Sequence, residues 1–133
     1  MSKARVEKVH ADRIGARMHL EQAEKFQNDA DSDLSAESRS VLLHNAAISA
    51  SNAILQARGL RVSTGEGAHL LRLETALEQL SRDTEDLLER LDASRSRRNE
   101  ASYAAMLVAE ASVEEAREGT AELIEAARDF LRD

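Results

Sequence analysis

Residues 41–57 read VLLHNAAISASNAILQA, the most apolar run in the chain, and its spacing decides the fold. Leu43, Ala47, Ala50, Ile54 and Ala57 recur at helical steps, while Val41, Ile48 and Leu55 form a second stripe. A helix that is apolar on more than one side belongs at the centre of a bundle. The same run carries Asn45, Ser49, Asn52 and Gln56 at steps of four, three and four, so these four share one face. An unpaired buried amide costs about 1–3 kcal/mol, so this polar line requires something polar opposite it. A cleft or a second copy of the chain meets that need.

Outward from this run, Asp33 or Ser35 can cap the helix, Glu37 suits its first turn, and Gly59 is a left-handed terminator after Arg58. Upstream, the spacing of Val6, Val9, Ile14, Met18 and Phe26 predicts one helix from Lys3 to Asp29 with those residues inward. The polar stretch from Asn28 to Asp33 ends it. Downstream, Gly59 to Gly67 holds three of the five glycines and reads as a loop. Leu70, Leu73, Leu77 and Leu80 predict a third helix over 66–80. Ser81 or Asp83 caps a fourth, with Leu87, Leu88 and Leu91 inward, which stays helical to about residue 105. Ser112-Val-Glu-Glu115 has the pattern of a capping box and opens a last helix to Arg132. Its inward residues are Val113, Ala116, Leu123, Ala127 and Phe130. The expectation is an all-α chain, one domain over residues 1–133, folded as a five-helix up-and-down bundle.

Composition agrees. The 133 residues include no proline and few glycines, and aromatic content is 2%, so the core must be aliphatic. The absence of cysteine excludes disulfides, thiolate metal sites and a cysteine nucleophile. No apolar run has the length of a membrane span and no signal peptide precedes the first charges, so a cytoplasmic protein without membrane contact is expected. A net charge of −7 argues against sequence-blind binding to nucleic acid, which needs a broad basic face. It leaves room for a local basic site.

One such site stands out. Residues 93–104, ASRSRRNEASYA, gather Arg95, Arg97, Arg98, Asn99 and the only tyrosine, Tyr103. On a helix Arg95, Asn99 and Tyr103 fall at i, i+4 and i+8, with Arg98 and Ser102 beside them. Guanidinium forks suit phosphate oxygens, asparagine both donates and accepts, and tyrosine offers a stacking face. If the second and fourth helices are neighbours, Asn45, Ser49 and Asn52 face Arg98, Asn99 and Tyr103 across a cleft. The plainer alternative pairs these arginines with Glu85, Glu89 or other surface carboxylates while Tyr103 fills the core. The histidines, His10, His19, His44 and His69, show no i, i+4 pair and no HExxH box, so neither a metal nor a cofactor is expected. Neither GxSxG nor a glycine-rich phosphate loop occurs.

Three pieces together resemble the HEPN superfamily of small helical domains, over roughly Ser35 to Leu131. They are NAAISASNAILQARGLR with its Arg-Gly-x-Arg exit, the glycine-rich loop leading to His69, and Arg98-Asn99-x-x-x-Tyr103 followed by a capped helix. The resemblance implies a four- or five-helix up-and-down bundle and a homodimer with the polar motifs of two protomers facing one cleft. It also implies a nucleotide, RNA or protein partner, such as a nucleotidyltransferase or an antitoxin. Active members cut RNA without metal through R-x4–6-H. Here the histidine slots hold Tyr103, Ala104 and Ala105 counted from Arg98, and Ser102, Tyr103 and Ala104 counted from Arg97. The expected function is therefore binding through Arg95, Arg98, Asn99, Tyr103, Asn45, Ser49 and Asn52. A metal-independent endoribonuclease using Arg97, Arg98 and Tyr103 is the second expectation, and a non-catalytic assembly protein the third.

Overall fold

A computed structural model describes residues 2–103 and 110–132, with side chains over 2–96 and 110–132. The side chains of Arg97, Arg98, Asn99 and Tyr103, and all of Ala104 and Ala105, lie outside the described residues. Five helices form: α1 (Arg13–Asp29), α2 (Ala36–Ala57), α3 (Ala68–Glu78), α4 (Glu85–Tyr103) and α5 (Glu110–Arg132). A short antiparallel ribbon joins β1 (Val6–Lys8) to β2 (Leu60–Val62). The all-α bundle read from the sequence is the architecture of the described residues.

The apolar run lies in α2, as its pattern requires. Ser35 caps this helix by accepting from the Ser38 N–H, and Gly59 follows its end with φ 69°. Ala46, Ala50 and Ala53 are wholly buried and cluster with Ala16 and Ala23 of α1. Small side chains let these helices approach closely. Leu43, Ile54, Leu55, Leu77, Leu123 and Leu131 fill the remaining interior. Asp83 Oδ1 accepts from the Glu85 N–H at 3.0 Å and so opens α4. The α5 helix is already formed at Glu110, so Ser112 sits inside its first turn and is not its cap. Of the predicted inward set, Val113, Leu123 and Ala127 are buried while Ala116 and Phe130 are half-buried.

The N-terminal segment departs from the predicted helix over Lys3–Asp29. Asp12 caps α1 by accepting from the Gly15 N–H at 2.9 Å, and the residues before it are extended. Their backbone groups bond to the segment after α2: Val9 N–H to Gly59 O at 2.9 Å, Ala4 N–H to Glu66 O at 3.0 Å and Glu66 N–H to Ser2 O at 3.0 Å. The helical face is also corrected. Ala16, Leu20 and Ala23 turn inward, whereas Ile14 and Met18 are 78% and 65% exposed. Close approach to the alanines of α2 outweighs the larger apolar surface of Ile14 and Met18. The segment Gly59–Gly67, predicted as a loop, contains β2.

That pairing sets the topology. Ser40 and His44, early in α2, line one cavity with His69 and Arg72, early in α3. Ala57 and Leu80, at the far ends of the same two helices, line another. The two helices therefore run parallel, and the chain between them returns along the bundle. An up-and-down connection would have made them antiparallel. Gly59 (φ 69°) and Gly65 (φ 152°) make the return possible, because an added Cβ would meet Val9 O at 2.6 Å and Ser2 O at 2.5 Å. Gly67 (φ 78°) faces open space. Gly59→Ala is expected to cost about 2–3 kcal/mol in urea unfolding, from left-handed strain plus displacement of the N-terminal segment. Gly67→Ala carries the strain alone, about 1 kcal/mol; equal losses at the two positions would contradict this account.

Ion pairs hold the outside. Arg117 bonds Asp31 at 2.6 Å, Arg128 bonds Glu24 at 2.7 Å, and Arg61 bonds Glu7 at 2.8 Å across the ribbon. The hydrogen bond from Arg117 holds the Asp31 carboxyl below its ordinary 3.8, and that from Arg61 holds Glu7 below 4.5. A depressed carboxylate contributes stability above its unfolded pKa and loses it as pH falls through the folded value. Unfolding free energy is thus expected to fall below about pH 4, with Asp31→Asn flattening the slope by less than about 1 kcal/mol because the pair is exposed. Denaturant midpoints between pH 3 and 6 measure this, and an unchanged slope in the variant removes the assignment.

Candidate functional site

The return between α2 and α3 brings their N-terminal halves together, where residues near Arg95 of α4 and Ala116 of α5 join them. The cavity among these four helices holds about 60 Å³. Leu43, Ala47, Ile48, Leu73 and Leu91 give it apolar walls. Its polar side chains are imidazoles, guanidinium groups and hydroxyls, with no carboxylate among the described lining residues. The rings of His44 and His69 lie 5.2 Å apart at 58°. Their sequence positions, on separate helices, give no spacing signal.

Arg72, one turn beyond His69 on α3, is half-buried and makes no hydrogen bond or ion pair among the described residues. Burial pushes its guanidinium below the ordinary value, because desolvation disfavours the charged form. Arg95, also half-buried, is tied to Asp92 Oδ1 at 3.0 Å on its own helix. Gly67 precedes α3 without a side-chain cap, which leaves the electropositive end of that helix on the same side. A second groove of about 470 Å³ shares His69 and Arg72 and is bordered by Ser2, Thr64, Gly65 and Ala68. Arg72 therefore borders both a small, partly open cavity and a larger groove, each with mainly apolar walls.

The far end of the bundle contains arginines of a different kind. Arg13 donates to Leu131 O at 2.7 Å, and Arg58 lies over the Phe130 ring at 5.0 Å. These sit where α2, α3 and α5 end, and cations there answer carbonyl-rich helix termini.

Of the residues singled out by sequence, only Arg95 lines the cavity among those with described side chains. Ser49 is buried and Asn45 and Asn52 are half-buried, and none of the three lines it. Gln56, at the end of their line, turns toward α1, where a Cβ on Gly15 would meet its Nε2 at 2.8 Å. The cavity side of α2 is instead Ser40, His44, Ala47 and Ser51. Those positions also follow steps of four, three and four, so a second semi-polar line was legible in the same helix. His44, His69 and Arg72 are the residues that sequence reasoning missed.

Chemically, the site can hold an anion, and its two imidazoles are close enough to share proton transfer at one group. Among the described residues no group of three or more potential metal ligands forms, and no helix is long and apolar enough to cross a membrane. Compared with known protein families, curated proteins and solved structures, the chain matches none.

Proposed function

We propose that this chain is a helical binding module that captures a phosphate-bearing ligand, a nucleotide or RNA, at the cavity between α2, α3, α4 and α5. The observation that carries this reading is Arg72, a half-buried guanidinium without a partner among the described residues, set beside His44, His69 and Arg95. A desolvated cation favours an anion that can enter and replace its lost water. The chain as a whole is acidic, so attraction is confined to this end and favours a defined phosphate over a long backbone. The HEPN resemblance supports nucleotide or RNA as the ligand class, a cytoplasmic homodimer as the working form, and a nucleotidyltransferase or antitoxin as protein partner. In such a dimer the line of Asn45, Ser49 and Asn52 is available to a second copy.

Calorimetry with adenosine monophosphate and with a short oligoribonucleotide tests the reading. Binding is expected, and Arg72→Gln should weaken it at least tenfold while the melting temperature of the free protein holds or rises. Absence of binding to either ligand at millimolar concentration removes the proposal.

A second reading is favoured by the histidine pair. An endoribonuclease needs a base to take the 2′-hydroxyl proton as that oxygen attacks phosphorus, and an acid to protonate the departing 5′-oxygen. One neutral and one protonated imidazole satisfy this balance, leaving a 2′,3′-cyclic phosphate and a 5′-hydroxyl. His44 and His69 would then replace the histidine missing after Arg98, in place of Tyr103. Incubation of structured RNA with chelator present decides it: cleavage lost in both His44→Ala and His69→Ala supports the enzyme, and intact RNA excludes it.

A further inference from the structure

Building on the binding reading above, we infer that the group seated in the small cavity is a terminal phosphate, so that the ligand is a phosphomonoester and the site selects chain ends over internal diesters. Three hydroxyls carry this. Ser40, Ser51 and Thr120 are 8%, 2% and 2% exposed, line the chamber, and make no hydrogen bond among the described residues. Helical serine and threonine commonly bond the carbonyl one turn back, as Thr75 does to Leu71 O at 2.7 Å. These three do not, so each keeps a donor for something else in the chamber.

Size narrows that occupant. About 60 Å³ is space enough for a compact tetrahedral group. Charge narrows it further, since Arg72 and Arg95 line the same chamber and the carboxylate of Asp92 is already bonded to Arg95. A monoester carries nearly two negative charges and three free oxygens, which suits several hydroxyl donors beside two guanidinium groups. A diester must leave the chamber on two sides. A monoester leaves on one, past His69 and Arg72 into the groove of about 470 Å³, a volume that suits a nucleoside.

The test compares ligands and hydroxyl variants by calorimetry on the full chain. The ligands are orthophosphate, adenosine monophosphate, adenosine, and one hexaribonucleotide with and without a 5′-phosphate. Adenosine monophosphate and the phosphorylated hexamer are expected to bind at least tenfold tighter than their unphosphorylated counterparts, with orthophosphate competing. Ser51→Ala and Thr120→Val should each weaken adenosine monophosphate about three- to tenfold, while the free proteins melt at or above the wild-type temperature. That thermal readout separates a lost ligand contact from a damaged fold. Equal binding of the two hexamers, or wild-type affinity in both variants, overturns the inference and leaves the binding module standing. Orthophosphate binding without adenosine monophosphate also overturns it, in favour of free phosphate. Failure of every ligand overturns both proposals.

Discussion

The extended return from α2 to α3 is the constraint on which the rest of this structure depends. A tight turn after Gly59 would have sent α3 back antiparallel to α2 and placed His69 far from His44. Instead the chain runs along the bundle, its exposed backbone groups bonded to the N-terminal segment through the ribbon and the bonds from Ala4, Val9 and Glu66. Backbone donors and acceptors need partners wherever water is displaced. The N-terminal residues supply them, and they adopt extended backbone for that reason although their apolar spacing suits a helix.

Two helices starting from the same end then have consequences for charge. The N-terminal halves of α2 and α3 gather at one end with Arg72 and Arg95, and the C-termini of α2, α3 and α5 gather at the other with Arg13 and Arg58. Arginine is thus found at both ends for opposite reasons. At the C-terminal end it has carbonyl and aromatic partners. At the N-terminal end it adds to a field that is already positive, answered in the first turn of α2 by Glu37 but by no acidic residue in the first turn of α3.

Much of the fold was legible in the sequence. Ser35, Gly59 and the alternating apolar stripes located α2, and the leucines of α3 and the amphipathic α5 followed the same logic. The misreadings share a physical origin. Val6, Val9, Ile14 and Met18 gave α1 the wrong face and length because hydrophobic spacing ranks bulk, whereas Ala16 and Ala23 win by allowing contact with Ala46, Ala50 and Ala53. The site was less legible. Arg95 was found from local composition, but the pairing of His44 with His69 arises only from the parallel return, which no local spacing encodes. The conspicuous amides drew the reading of α2 toward Asn45, Ser49 and Asn52, while the quieter line of Ser40, His44, Ala47 and Ser51 faces the chamber.

Polar groups are treated differently in different parts of this fold, and the difference bears on function. On the outside, Arg117, Arg128 and Arg61 each meet a carboxylate. Gln27 and Arg39 each keep one buried atom without a partner, yet bond through another, to Arg117 O and to Glu110, whereas the buried Gln56 Oε1, beside α1, has none among the described residues. At the cavity the side chains of Arg72, Ser40, Ser51 and Thr120 make no hydrogen bond among the described residues and lie around one small space. Replacing a polar side chain that makes no hydrogen bond with an apolar one of similar shape is commonly neutral or stabilising, so stability alone gives little reason for Arg72 and three hydroxyls around one space. Departures from local consistency that cluster in one place are expected at functional or strained sites. Water can satisfy hydroxyls, but it cannot neutralise a guanidinium whose hydration has been reduced by burial. An anion would do both at once, and the proposed binding site is therefore the cavity beside Arg72 and not the arginine-rich stretch 93–104.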